Sequence, residues 1–117
     1  MTFSIVARCA KTGMFGVAVS SSSPAVAARC AYAQAGAGAV ASQNVTDPTL
    51  GVRGLELLTR GASATETVAI LKRTGAYADY RQVLVVDGQG GTCLPMTAFP
   101  RRWSTVSSPP RAISATG

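Results

Sequence analysis

The chain has 117 residues, room for one domain with a modest core. At 47% hydrophobic and 14% charged it has an ordinary soluble composition, and no apolar run nears the roughly 20 residues of a membrane span. The net charge of +6 sits partly in Arg101, Arg102 and Arg111 and is otherwise scattered, and aromatics make up only 6%, so it reads as a solubility feature with no nucleic-acid partner.

The opening Met1-Thr2-Phe3-Ser4-Ile5-Val6-Ala7-Arg8 lacks the charged, apolar and small-residue succession of a signal peptide, so the expected location is the cytoplasm, with no membrane partner. Thr2 to Arg8 alternates as a strand, with Phe3, Ile5 and Ala7 on one face and Thr2, Ser4 and Val6 on the other, polar-lined one. A turn at Lys11-Thr12-Gly13 returns the chain through Phe15 to Ser20, which predicts a β-hairpin. Ser20 to Pro24 is a loop of small hydroxyl residues. Ala25 to Ala33 is ambiguous, since its alanines favour helix but the stretch is short.

Ala37 to Ser42 reads as a third, buried strand. Asp47-Pro48 is a helix start, with aspartate as N-cap and proline at the first position, and the helix runs to about Thr59 with Gly61 as its stop. Ser63-Ala64-Thr65-Glu66 is a capping box opening a second helix, with Ala64, Val68 and Leu71 on one stripe and Thr74-Gly75 at its close. Val83-Leu84-Val85-Val86, within Arg81 to Asp87, is the apolar run of a strand covered on both faces, and Asp87 to Gly91 is a turn. This order predicts an α+β layered architecture with a largely antiparallel sheet and a helical pair. Residues 100–117 carry Pro100, Pro109 and Pro110, serines and threonines, and no clear periodicity, so no regular structure is assigned to them.

The chemistry of the chain is bounded by what it lacks. It contains no histidine, which excludes Ser-His-Asp and Cys-His constellations and the histidine-bearing zinc sites. Removal of the initiator methionine would leave Thr2 first, with a hydroxyl and its own α-amine on one residue. That is the threonine form of the activated nucleophile, in which the amine serves as base. Ser4 lies on the same strand face and is a candidate to orient that amine. Ser20 and Ser21 end the second strand, and a pairing of Thr2 with Ser20 would bring further hydroxyls to the site. Ser22 and Ser23 read as connector. Gln43 and Asn44 end the third strand as candidate oxyanion donors or, equally, as turn caps. Arg8, at the other hairpin end, is expected to be solvated. Cys9, Cys30 and Cys93 are odd in number and lack C-x-x-C spacing, so they read as reduced thiols packed as small hydrophobes. The acids Asp47, Glu56, Glu66, Asp79 and Asp87 offer no pairing at ligand spacing, and neither a metal nor a cofactor is expected.

Taken together, Thr2-Phe3-Ser4-Ile5-Val6-Ala7-Arg8, Thr12-Gly13, Gly16-Val17-Ala18-Val19-Ser20 and Ala35 to Asn44 resemble an uncharacterised bacterial family of the N-terminal-nucleophile (Ntn) hydrolase-like superfamily, catalogued as a domain of unknown function. Asp47-Pro48, Gly51, Arg53-Gly54-Leu55, Leu57-Leu58, Arg81-Gln82 and Val85-Val86-Asp87 extend the resemblance over residues 2–91. It implies a partial αββα sandwich whose first strand carries the nucleophile at its start, and an amidohydrolase acting on a small-molecule or peptide amide. From about residue 92 the family pattern stops, so residues 92–117 are expected to be a divergent tail, out of frame or otherwise foreign, beside an N-terminal half of residues 1–91. A shortened sandwich would leave apolar sheet surface uncovered and favour a homo-oligomer. The competing expectation is a non-catalytic interaction or assembly protein, or an inactive truncated product, on the same scaffold.

Overall fold

The computed structural model describes residues 2–44 and 47–94 in full, and residues 103–108 and 111–116 through their strand backbone. Strand β1, Thr2–Cys9, and strand β2, Phe15–Ser21, form the hairpin that the alternation predicts. Its loop is closed by the Gly13 N–H donating to the Cys9 carbonyl at 2.7 Å and the Cys9 N–H to the Met14 carbonyl at 2.8 Å. Gly13 takes a left-handed φ of 73°, which a side chain would resist.

The register corrects one expectation. Thr2 pairs with Ser21, and Ser20 pairs with Phe3. A slip of one residue reverses every side chain across the sheet, so Ser20 stands exposed on the face opposite Thr2.

The ambiguous stretch resolves into one helical turn, α1 at Ala27–Cys30, followed by strand β3 at Ala31–Gln34. β3 pairs antiparallel with strand β4, Gly38–Asn44, which supplies the order that its own alanine-rich sequence does not. Helix α2, Pro48–Thr59, begins where Asp47 accepts the Thr49 N–H. Helix α3, Ala64–Thr74, begins on the reciprocal Ser63–Glu66 capping box. After a single tight turn at Ala78–Tyr80, strand β5, Arg81–Asp87, is buried along its whole length, and the short β6, Thr92–Cys93, pairs beside it.

Two strands lie where the composition assigned no regular structure: β7, Trp103–Ser108, and β8, Arg111–Thr116. β8 pairs with β1 from Ser4 opposite Thr116 to Cys9 opposite Arg111, so the free edge of β1 organises a segment with weak periodicity of its own.

The strands make two four-stranded antiparallel sheets, ordered β2-β1-β8-β7 and β3-β4-β5-β6. Val6, Phe15 and Val17 of the first sheet pack on Ala39, Ala41, Leu84 and Val86 of the second. The opposite face of the second sheet, through Val40, Val83 and Val85, packs on Leu50, Leu58, Ala64, Val68 and Leu71 of α2 and α3. The architecture is therefore α+β, with a helical pair over one of two stacked sheets. No helix among the described residues is long and apolar enough to cross a membrane.

Contact between α2 and β3 depends on Gly51, because a Cβ there would run into the ring of Tyr32. We expect Gly51→Ala to destabilise the fold by about 1–3 kcal/mol through overpacking, read as a lowered urea midpoint. An unchanged midpoint would show that Tyr32 swings clear without loss.

Candidate functional site

Strand parity decides which polar groups share a layer. Thr2, Ser4 and Val6 face the second sheet, and Ser4 is only 2% exposed there. On the second sheet Ala39 and Ala41 face back, which puts Gln43, two residues on, on the same side. On β5, Leu84 and Val86 face the first sheet, and Gln82 shares their parity. Gln43 and Gln82 are directly opposed across β4 and β5, and the Gln43 Nε2 donates to the Gln82 Oε1 at 2.8 Å. Both are buried, at 3% and 5% exposure, so this amide pair is a polar insert in an otherwise apolar interlayer.

The two ends of that interlayer differ. Arg8, at the far end of β1, shares a cleft with Ala35, Gly36 and Gly88, beside the start of β4 and the end of β5. Thr2 therefore lies toward the other end, where Gln43 and Gln82 stand. There the Thr2 Oγ1 and the Ser21 Oγ are 2.7 Å apart, and the Ser21 Oγ also accepts the Ser23 N–H at 3.2 Å.

Of the residues singled out by sequence, Thr2 and Ser21 are in direct contact, Ser4 is buried on their face, and Gln43 stands on the facing sheet. Ser20 is on the outer face. Asn44, the last residue of β4, has a left-handed φ of 77° and donates from its Nδ2 to the Tyr80 carbonyl at 2.6 Å. Its amide caps the strand end, the second of the two roles open to it. Gln82 is the residue that sequence reasoning missed. The available signal was a polar side chain at the head of an apolar run, yet its partner lies 39 positions earlier in the chain. Met1 lies outside the described residues.

Beside this end, Asp47 and Arg81 form an ion pair at 3.1 Å that ties the start of α2 to the start of β5. The Thr49 hydroxyl that donates to Asp47 holds its carboxyl below the usual range, joined by the Thr49 N–H and the Arg81 guanidinium and opposed by burial. A carboxyl lowered in the folded state adds stability above its unfolded value and loses it as pH falls through the folded value. We therefore expect Asp47→Asn to cost up to about 1 kcal/mol at pH 7 for this partly exposed pair. The difference should vanish well below about pH 4, and urea midpoints at the two pH values measure it. A gap that persists unchanged in acid would assign the effect to the helix cap alone.

Cys30 and Cys93 are free thiols, and the described residues hold no group of three or more Cys, Asp and Glu side chains placed to hold a metal ion.

No curated protein matches the chain. Among solved structures, a crystal structure of a Silicibacter pomeroyi protein from family-model DUF1028 superposes with a TM-score of 0.83 at 24% sequence identity. That match covers 98% of this chain and 54% of the other, so the chain spans about half the length of the solved protein, and the likeness shows the fold. The model of a family of unknown function, DUF1028, matches residues 2–99, which extends beyond Gly91, where the resemblance is expected to stop. With most of its length in that match, the chain belongs to DUF1028.

Proposed function

We propose that this chain is an N-terminal-nucleophile amidohydrolase in which Thr2, first in the chain once Met1 is removed, attacks an amide carbonyl of a small molecule or peptide. The observation that carries the reading is the contact of Thr2 Oγ1 with Ser21 Oγ at 2.7 Å, at the opening of a strand that faces a second sheet. Two stacked antiparallel sheets with a helical pair on one of them fit a partial αββα sandwich.

On this reading the α-amine, with an ordinary pKa of roughly 7.7–8.0, takes the Thr2 hydroxyl proton as the oxygen adds to the carbonyl carbon. The tetrahedral oxyanion is held by N–H donors, for which the Gln43 amide is the candidate, and each such donor is worth about 3 kcal/mol. Collapse breaks the C–N bond, the ammonium returns its proton to the leaving amine, and water then hydrolyses the Thr2 ester. Ser4 and Ser21 position the amine and the hydroxyl.

The test begins with intact mass, which shows whether Met1 is absent. Protein lacking Met1 is then treated with a β-lactone electrophile and mapped by peptide mass. An adduct on Thr2 is expected. Protein with a free Thr2 that stays unlabelled would dismiss the nucleophile.

One observation favours a second reading, that of a non-catalytic interaction module. Phe3 is 50% exposed on the outward face of the first sheet, next to Ile5 and Ala18. A homo-oligomer built through that face belongs to this alternative.

A further inference from the structure

At the end of the interlayer away from Thr2, an open cleft of about 590 Å³ lies between the β1–β2 loop and the turns that follow β3 and β5. Its volume falls in the range of small-molecule sites, roughly 300–1,000 Å³. Met14 and Phe15 give it an apolar wall, and Met14 is 69% exposed. Thr12, Gly36 and Gly88 lie on the rim, and no carboxylate stands among the described residues of the lining.

Among the described residues of that lining, Arg8 is the one that carries a charge. It sits on the inward face of β1, and its Nε is buried with no hydrogen-bond partner among the described residues. The ion pair found among the described residues belongs to Arg81 and Asp47, so Arg8 is also without a carboxylate. Its guanidinium reaches the β1–β2 loop, since a Cβ built on Gly13 would lie 3.9 Å from Nη2. A guanidinium is a planar fork matched to a carboxylate, and with Nε closed off from solvent it is the Nη–H groups that an acid in the cleft would meet.

We propose that this cleft binds an organic carboxylate with an apolar body, the acid on Arg8 and the body against Met14 and Phe15. The site is separate from Thr2 and does not depend on the hydrolase reading.

The probe is 4-phenylbutyrate, compared with its neutral amide, 4-phenylbutyramide, by backbone amide chemical shifts of the full chain. The carboxylate should shift Phe15, Gly36 and Gly88 saturably and bind at least about tenfold more tightly than the amide. Arg8→Met should remove that preference, Arg8→Lys should keep part of it, and Thr2→Ala should bind as the wild type does. If Arg8→Met fails to fold, the comparison of acid with amide in the wild type decides. The proposal is overturned by equal binding of acid and amide, or by an Arg8→Met variant that binds the acid as well as before. It is also overturned if no saturable shift appears up to about 10 mM, or if the shifts fall on Phe3 and Ile5 instead.

Discussion

Thr2→Ala should lower amide turnover by at least about a thousandfold in kcat/KM while leaving the fold in place, because the variant keeps the α-amine but has no oxygen to add to the carbonyl. The structural cost is small. Thr2 is partly exposed, and its hydroxyl meets the Ser21 Oγ at 2.7 Å, so its removal costs about 1 kcal/mol. Thr2→Ser keeps the nucleophilic oxygen and should retain activity within about tenfold, which separates loss of the hydroxyl from loss of the β-methyl. Ser21→Ala leaves the nucleophile present but less well positioned, and an intermediate loss of about tenfold is expected. Initial rates of amine release over an amide panel, read beside far-UV circular dichroism, measure all three. Equal turnover by wild type and Thr2→Ala would end the proposal.

The largest effect on stability is expected at Asp87. Its carboxylate joins three pieces of the fold: Oδ2 accepts the Ala64 N–H at 2.9 Å, and Oδ1 accepts Gln89 N–H at 2.9 Å and Gly91 N–H at 2.8 Å. It thus closes the turn between β5 and β6 and adds a negative charge at the N-terminus of α3, where the helix dipole favours one. Hydrogen bonds to a charged group are worth about 1.5–3 kcal/mol each but do not add fully. Asp87→Ala should therefore cost about 3–5 kcal/mol, a large share of the roughly 5–15 kcal/mol that holds a domain of this size. Asp87→Asn keeps one acceptor for the turn and loses the bond to Ala64, so about half that cost is expected. Urea unfolding at neutral pH gives both numbers. A loss under about 1 kcal/mol for Asp87→Ala would mean that water replaces the carboxylate.

Asp47 and Asp87 show how far residue type alone carries the reading. Asp47 sits before Pro48, so its role as an N-cap is written within three consecutive residues. Asp87 looks like an ordinary turn aspartate, and its bond to Ala64 spans 23 positions that no local pattern encodes. The same contrast runs through the candidate site. The strand carrying Thr2 and Ser4 is legible from alternation, whereas the choice of Ser21 over Ser20 rests on a loop whose length sets the register. Gln43 is visible at the end of a strand, but the pair it forms with Gln82 exists only once β4 and β5 meet. Arg8 reads as a solvated end residue until the two sheets stack and leave its Nε buried.

By itself, then, the amino-acid order determined the helix boundaries, the first hairpin, the doubly covered β5 and the absence of any imidazole chemistry. Caps, turns and alternation act over a few residues, and their energies are already present in the local chain. Tertiary structure alone decided which hydroxyl meets Thr2, that β3 and β8 are strands, and which polar side chains face one another between the sheets. Those outcomes depend on a partner strand or sheet supplied from far along the chain, and a one-residue change of register would reverse them.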